Sequence, residues 1–207
     1  RKELNYPSNF WIFQQLLHPI LIKYLIIPFY RFPSFGRILL GGLQKIKVLS
    51  KAVYKKEKEE GSLPKYFPKK IPNVFSILAL NQFNKLERFN SHRKEIANFY
   101  KRELKDSKFS LTKQDVEGSI FMRFSILVNN SDKIIKEARK RRVFLNDGWR
   151  KSPIVPPDTV LNKMKYFKGT CKKAEEISEK ILNLPTHINI LKKDADKIID
   201  FLKENEH

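Results

Sequence analysis

Cysteine is nearly missing: Cys171 is the only one in 207 residues. A single thiol excludes an internal disulfide and a Cys-rich zinc site, and it suits a reducing cytoplasm. Glycine is scarce too. There are seven, and Gly41-Gly42 is the only adjacent pair. Neither a Walker A loop nor a GxGxxG stretch occurs, so the chain carries no glycine-rich phosphate cradle. The four histidines, His18, His92, His187 and His207, stand apart from one another. No HExxH or His/Asp grouping supplies a metal site, and no Ser/His/Asp order suggests a hydrolytic triad. The opening "RKELNYPSNF" has no Met and no small-residue cleavage site. It therefore does not read as a signal peptide, and the expectation is a chain that starts inside a longer protein.

Positive charge and apolar bulk are abundant. Lys and Arg number 42 against 22 Asp and Glu, a formal charge of +20. Such a balance fits nucleic acid, an anionic membrane surface or an anionic small molecule. The lysines are scattered and mixed with Glu, which favours solvated faces over a nucleic-acid groove. The basic stretch "DKIIKEARKRR" has no interleaved aromatics of an RNA-binding kind, so nucleic acid is not an expected partner. At 41% hydrophobic, with 16 Phe and 7 Tyr, the chain can bury a bulky core.

The most apolar segment lies in residues 1–45 and centres on 10–43, "FWIFQQLLHPILIKYLIIPFYRFPSFGRILLGGL". Gln14, Gln15, His18 and Lys23 interrupt it, and Pro19 and Pro28 disturb helical hydrogen bonding. A helical hairpin is expected, not a membrane span. Aromatics beside Lys23, Arg31 and Arg37 suit a helix lying in a membrane interface. Packing against the rest of a larger protein is the other reading, and both stay open. Residues 46–72 read as a charged linker, with the run at 55–60 followed by Gly61, Pro64 and Pro68.

Residues 73–105 carry the strongest helical period. Val74, Ile77, Leu78, Leu80, Phe83, Leu86, Phe89, Ile96, Phe99, Tyr100 and Leu104 recur at threes and fours. Pro72 suits the start. Unbroken, this bridging helix is about 50 Å long. Its first half is apolar nearly all round, so deeper burial is expected there. His92 reads as an exposed or capping residue. From 106 to 207 strands alternate with helices, as in a small α+β domain. "SIFMRFSILV" (119–128) is a strand, Asn129-Asn130 a turn, and Ser131 the cap of a basic helix. Val143–Leu145 is a short strand. "NDGWRKSPIVPPDTV" is loop, "CKKAEEISEKIL" a helix, "NLPTHIN" extended and "KKDADKIIDFLKENE" a closing helix.

The order of these segments resembles the C-terminal part of the DegT/DnrJ/StrS-type aminotransferases. Ala79, Leu80, Gln82, Phe83, Leu86, Phe89, Asn90, Arg93, Ile96, Ala97 and Tyr100 stand where the pattern of the family's long helix has them. "FMRFSILV" looks like the family's small-domain strand and "NDGWRKSPIVPP" like its substrate-side loop. "GTCKKAEEISEKILNLPTHINI" looks like its Cys-x-x-Ala-Glu helix and Leu-Pro-x-His strand. The match covers residues 70–202.

The resemblance implies a fold type I transferase, here its α+β small domain, a bridging helix and an N-terminal apolar helical insertion or end of the large domain. It also implies pyridoxal 5'-phosphate in the intact enzyme, an amino donor, a nucleotide-linked keto-sugar acceptor, a homodimer and a cytoplasmic setting, with membrane association left open through 10–43. The family's Ser-Phe-x-x-x-Lys motif, whose lysine forms the Schiff base, has no counterpart. Ser34-Phe35 imitates it, but the lysine position falls on Leu39. The family's Gly-x-Asn-x-Arg stretch places its phosphate-binding Asn at Pro68 and its Arg at Lys70. Pro68 has no N–H, whereas Lys70 keeps a positive charge without the guanidinium fork. No catalytic residue is therefore assigned. Lys70 is the cofactor-side candidate, and Asp147, Trp149, Arg150 and His187 are the substrate-side candidates. Arg150 suits a diphosphate and Trp149 a ring. The implied chemistry is sugar transamination, with this chain inactive alone. A reading from another class is a non-catalytic membrane-surface module left by a split or decayed gene.

Overall fold

The computed structural model describes residues 4–29, 35–51, 53–63, 67–112, 118–145, 150–157 and 159–206. The chain divides into two compact units, Arg1–Leu80 and Asn81–His207. The division falls inside a helix and not in the charged stretch 46–72.

The first unit is helical. Ser8 caps α1 (Asn9–Leu21) by accepting from the Trp11 N–H at 3.3 Å. Pro19 does not end the run. A π-helical turn over Ile22–Ile26 carries it into the short α2 (Ile27–Phe29), and the Ile27 N–H reaches Ile22 O. Looser i→i−5 bonding of this kind lets a helix continue where its regular ladder is disturbed. The ladder then resumes in α3 (Phe35–Lys45). Gln14 and Gln15, which interrupt the apolar run, turn inward. Gln14 donates to Lys47 O at 2.5 Å and Gln15 to the Ser50 hydroxyl at 2.9 Å. Their amides tie α1 to the chain after α3, with Leu49 and Ile26 buried. The stretch 46–72 also holds a helix, α4 (Lys55–Glu60). Gly61 ends it at φ 63°, a conformation that side chains with a Cβ avoid.

The helix expected over 73–105 is interrupted. It forms α5 (Asn73–Phe83) and α6 (Leu86–Glu103), separated by a turn at Asn84 and Lys85. The Lys85 N–H bonds Gln82 O at 3.0 Å, three residues back, and its ammonium bonds the Asn81 side chain at 2.7 Å. Asn81 and Asn84 are weak helix formers that bond locally, and here they coincide with the break. The burial expected of the first half is also reversed. No residue of α5 is buried, and Ile77, Leu80 and Phe83 are each more than 60% exposed.

The second unit is the α+β domain. Its sheet has three antiparallel strands in the order β1-β2-β3. They are β1 (Ser110–Leu111), β2 (Arg123–Leu127) and β3 (Ile181–Pro185). β2 is the centre. It opposes Phe124 to Leu184 and Ile126 to Leu182, and all four side chains are buried. Alternation along both strands sends these residues to one face. The core there is completed by Ile96, Ala97, Tyr100 and Leu104 of α6 and its end, and by Ala195, Ile198, Phe201 and Leu202 of α9 (Lys192–Glu204). Tyr100 is the hub. Its ring lies 5.8 Å from that of Phe124, and its hydroxyl donates to Pro185 O at 3.1 Å. Burial, then the charge of Asp194, holds this phenol well above its ordinary proton affinity, so it stays a donor.

Three local expectations change. Strand 119–128 is shorter, 123–127. Ser131 is the first residue of α7 (Ser131–Lys140), not its cap. Its hydroxyl donates to Glu179 O at 2.5 Å, across to α8 (Lys172–Lys180). Val143–Leu145 is not a strand. Arg142 turns the chain at φ 59°, the Val143 N–H closes α7 on Ala138 O at 2.8 Å, and Leu145 fills the core without a ladder partner.

Tyr100→Phe strands the Pro185 carbonyl, and about 1–2 kcal/mol of unfolding free energy should go with it. Leu184→Ala should remove about 2–5 kcal/mol, since it opens a cavity at the same centre. Urea denaturation midpoints with an unchanged slope check both.

Candidate functional site

The end of β3 gathers the chemistry of the second unit. Pro185 has no N–H to extend the ladder, so β3 stops there. Thr186 is fully buried, and its hydroxyl bonds Phe121 O at 2.5 Å and Met122 O at 3.0 Å. His187 then emerges into solvent, and the Ile190 N–H bonds back to His187 O at 2.8 Å. His92 of α6 reaches this turn, with its Nε2 3.1 Å from Ile190 O. His92 is thus a clasp between α6 and the β3–α9 turn, not an exposed or capping residue.

Around His187 the charge is of one sign. Arg123 opens β2 and pairs across the sheet with Pro185, two residues before His187. Arg93 follows His92 on α6. Partial burial comes first, then the positive charge of Arg123, His92 and Arg93, and together they hold the His187 imidazole below its ordinary proton affinity. Among the described residues no carboxylate pairs with Arg93 or Arg123. The Arg93 Nε and the Asn90 Oδ1 are buried with no hydrogen-bond partner there.

The loop expected to face substrate gives a different picture. Asp147 and Trp149 lie outside the described residues. Arg150 is engaged within the chain. Its guanidinium donates to the Ser131 hydroxyl at 2.6 Å and to Glu179 O at 3.1 Å, and it pairs with Asp132. Only 12% of the side chain is exposed. That arrangement joins loop, α7 and α8 and leaves little of the fork for a diphosphate. Beyond it a cleft of about 350 Å³ lies against α8, lined by Lys151, Pro153, Pro156, Tyr166, Lys168 and Glu175 among others. Glu175 organises its floor. One carboxylate oxygen accepts from the Tyr166 hydroxyl at 2.5 Å, the Gly169 N–H at 2.7 Å and the Cys171 N–H at 3.3 Å. The Tyr166 bond, then the Gly169 N–H, keeps Glu175 below its ordinary pKa, while the same bond pushes Tyr166 up to about 12.

The profile of the DegT/DnrJ/EryC1/StrS aminotransferase family matches residues 43–203. The chain belongs to this family. Solved structures agree at the level of fold. DesV of S. venezuelae, determined with a ketimine intermediate, is 16% identical with a TM-score of 0.58, over 74% of this chain and 43% of its own. A DegT DnrJ EryC1 StrS aminotransferase from Brucella abortus is 19% identical with a TM-score of 0.55, over 73% and 42% respectively. PseC of Helicobacter pylori, an aminotransferase of pseudoaminic acid biosynthesis, is 20% identical with a TM-score of 0.53, over 73% and 44%. The chain therefore spans less than half the length of these structures. No curated protein matches it by sequence.

For this family member the pyridoxal phosphate question comes down to Lys70. The Lys70 ammonium lies 5.6 Å from the centroid of the Tyr6 ring, and its N–H bonds Asn5 O at 3.0 Å. A lone lysine resting on an aromatic face, beside a Pro68 that cannot donate, does not make a phosphate cradle. These residues do not fit the cofactor by themselves.

Sequence reasoning missed Arg123 and the role of His92. Arg93 and Asn90 were visible only as positions of the family pattern. The one signal that pointed to Arg123 was a charged residue inside an apolar strand. Glu175 lay hidden in the Cys-x-x-Ala-Glu helix, where it reads as solvated surface.

Glu175→Gln should lower stability at neutral pH, because a neutral acceptor is weaker. The folded-state pKa of Glu175 is depressed, so its contribution is present above the ordinary value of 4.5 and lost as the pH falls through the folded value. Wild type and variant should therefore converge in acid. Melting temperatures across a pH series check this.

Proposed function

We propose that this chain is the C-terminal portion of an enzyme that moves an amino group from a donor such as glutamate onto a nucleotide-linked keto-sugar. The observation that carries this reading is the family match over 43–203 on an α+β small domain preceded by α6. In the intact enzyme pyridoxal phosphate supplies the electron sink for amino transfer. The Schiff-base lysine belongs to the large domain, so the present residues supply a small domain, a substrate-side loop and a lid. Asp147, Trp149 and His187 are its substrate-side elements, Arg150 holds their loop in place, and the assembly is a cytoplasmic homodimer. The exposed apolar surface of α5 fits a helix whose partner is the rest of that enzyme.

The test is made on the native polypeptide. Its mass in the source cells should be about 40–45 kDa, one large and one small domain. That protein, given pyridoxal phosphate, glutamate and a nucleotide-linked keto-sugar, should release 2-oxoglutarate. The 207-residue chain alone should release none. Turnover by this chain alone would refute the division of labour, and a full-length protein inert toward every keto-sugar nucleotide would refute the reaction class.

One observation favours a second role for the first unit. From Asn5 to Lys56 the sequence has no Asp or Glu. Phe10, Phe13, Tyr24 and Ile38 are exposed there, with Lys23, Arg37 and Lys47 among them. Helix Asn9–Phe29 is long and apolar enough to cross a membrane and is little buried, yet Gln14 and Gln15 are satisfied internally. These features suit peripheral contact with anionic lipid. The chain should float with phosphatidylglycerol vesicles and not with phosphatidylcholine vesicles, and the double change Phe10→Ser, Phe13→Ser should abolish flotation. Equal flotation of the variant would dismiss the contact.

A further inference from the structure

We propose that a cleft at the far end of the sheet binds a phosphate monoester of a small polyhydroxy compound. The cleft lies between the start of β1, the β2–α7 junction and the ends of α8 and α9. It is at the Leu127–Ile181 end of the β2–β3 pair, whereas Pro185 and His187 mark the other end. Four residues of strand, about 13 Å, separate the two ends. The inference goes beyond the aminotransferase reading and does not depend on it.

Three observations converge on it. The first is shape. The cleft holds about 380 Å³, within the range of small-molecule sites, and lies within one folded unit. Phe109, Val128 and Ile134, all buried core residues, form its apolar floor. The second is uncommitted charge. Lys108, Lys133 and Lys180 line the cleft against one carboxylate, Glu206. Lys180 is already paired with Glu176 at 2.7 Å. Lys108 and Lys133 form no ion pair among the described residues, with Glu206 or with any other carboxylate. Glu137, one turn along α7 from Lys133, is taken by Lys140 at 2.8 Å, and Lys133 acts on it only at a distance. The third is uncommitted amides. Asn130 precedes α7, where an Asn side chain ordinarily caps the helix, yet its side chain makes no capping bond. It lines the cleft with Asn129.

These groups define the ligand. Ammonium groups act as point charges and suit a phosphoryl group, whose oxygens accept from several directions. The two amides offer donors and acceptors to hydroxyls, and the apolar floor suits the carbon face of a ring. Glu206 sets an upper limit on charge. A carboxylate in the wall opposes a polyanion more than a single phosphoryl group, so a monoester fits better than a diphosphate.

The experiment is a backbone amide NMR titration of the full chain with glucose 1-phosphate, inorganic phosphate, pyrophosphate and glucose. Glucose 1-phosphate should saturate, with shifts centred on the amides of Lys108, Asn129, Asn130 and Lys133. It should bind more tightly than each of the other three probes. Lys108 and Lys133 are exposed, so Lys108→Gln and Lys133→Gln should fold. Each should weaken binding about tenfold, the loss of one charge-assisted contact. Lys193→Gln, at the opposite end of α9 from Glu206, should leave it unchanged. The proposal is overturned by no saturable shift, by shifts centred elsewhere, or by a loss in Lys193→Gln equal to that in Lys133→Gln. It is also overturned if inorganic phosphate or pyrophosphate binds as tightly as the ester, since the site would then select charge alone. None of these results touches the aminotransferase reading, which is judged by 2-oxoglutarate release from the native enzyme.

Discussion

A proline that ends a strand leaves a backbone to be satisfied by other means, and the second unit is organised around that need. Pro185 cannot extend the β2–β3 ladder, and its carbonyl is taken by the Tyr100 hydroxyl. Thr186 finds the carbonyls of Phe121 and Met122. Buried polar groups left unpaired cost more than most single contacts give, so this junction fixes where α6 sits on the sheet. His92 reaches Ile190 O because α6 and the end of β3 are held in one frame.

Two parts of the domain handle charge in opposite ways. Near α7 and α8, Arg150 and Lys151 are engaged by Asp132 and by Glu179. Around Glu175, a carboxylate gathers three donors. These are closed arrangements that stabilise a loop. At the end of β3, by contrast, the groups that surround His187 are positive. Arg150, expected to face substrate, instead holds its loop to α7 and α8.

Apolar surface is distributed unevenly along the chain. The sheet, α6 and α9 bury a complete core of their own, from Tyr100 to Leu202. α5 buries nothing, although its sequence is as apolar as a core helix. A helix of that kind is stable only when something covers it.

The sequence by itself determined the class of the domain, most of its helices and its two main strands. It did so because hydrophobic period and turn residues act locally: the face of α9, the alternation in β2 and the stop at Pro185 are short-range facts. The order of those segments was enough to indicate the family. Tertiary structure alone decided the rest. The break at Asn84 and Lys85 depends on which carbonyl the Lys85 N–H finds. Val143–Leu145 had the composition of a strand but no partner to pair with. The surroundings of the candidate residues were the least legible part: His187 was named from its Leu-Pro-Thr-His segment, but the positive charge of Arg123, His92 and Arg93 around it comes from residues far apart in sequence. Only tertiary packing sets such surroundings, since electrostatic interaction depends on distance in space and takes no account of distance along the chain.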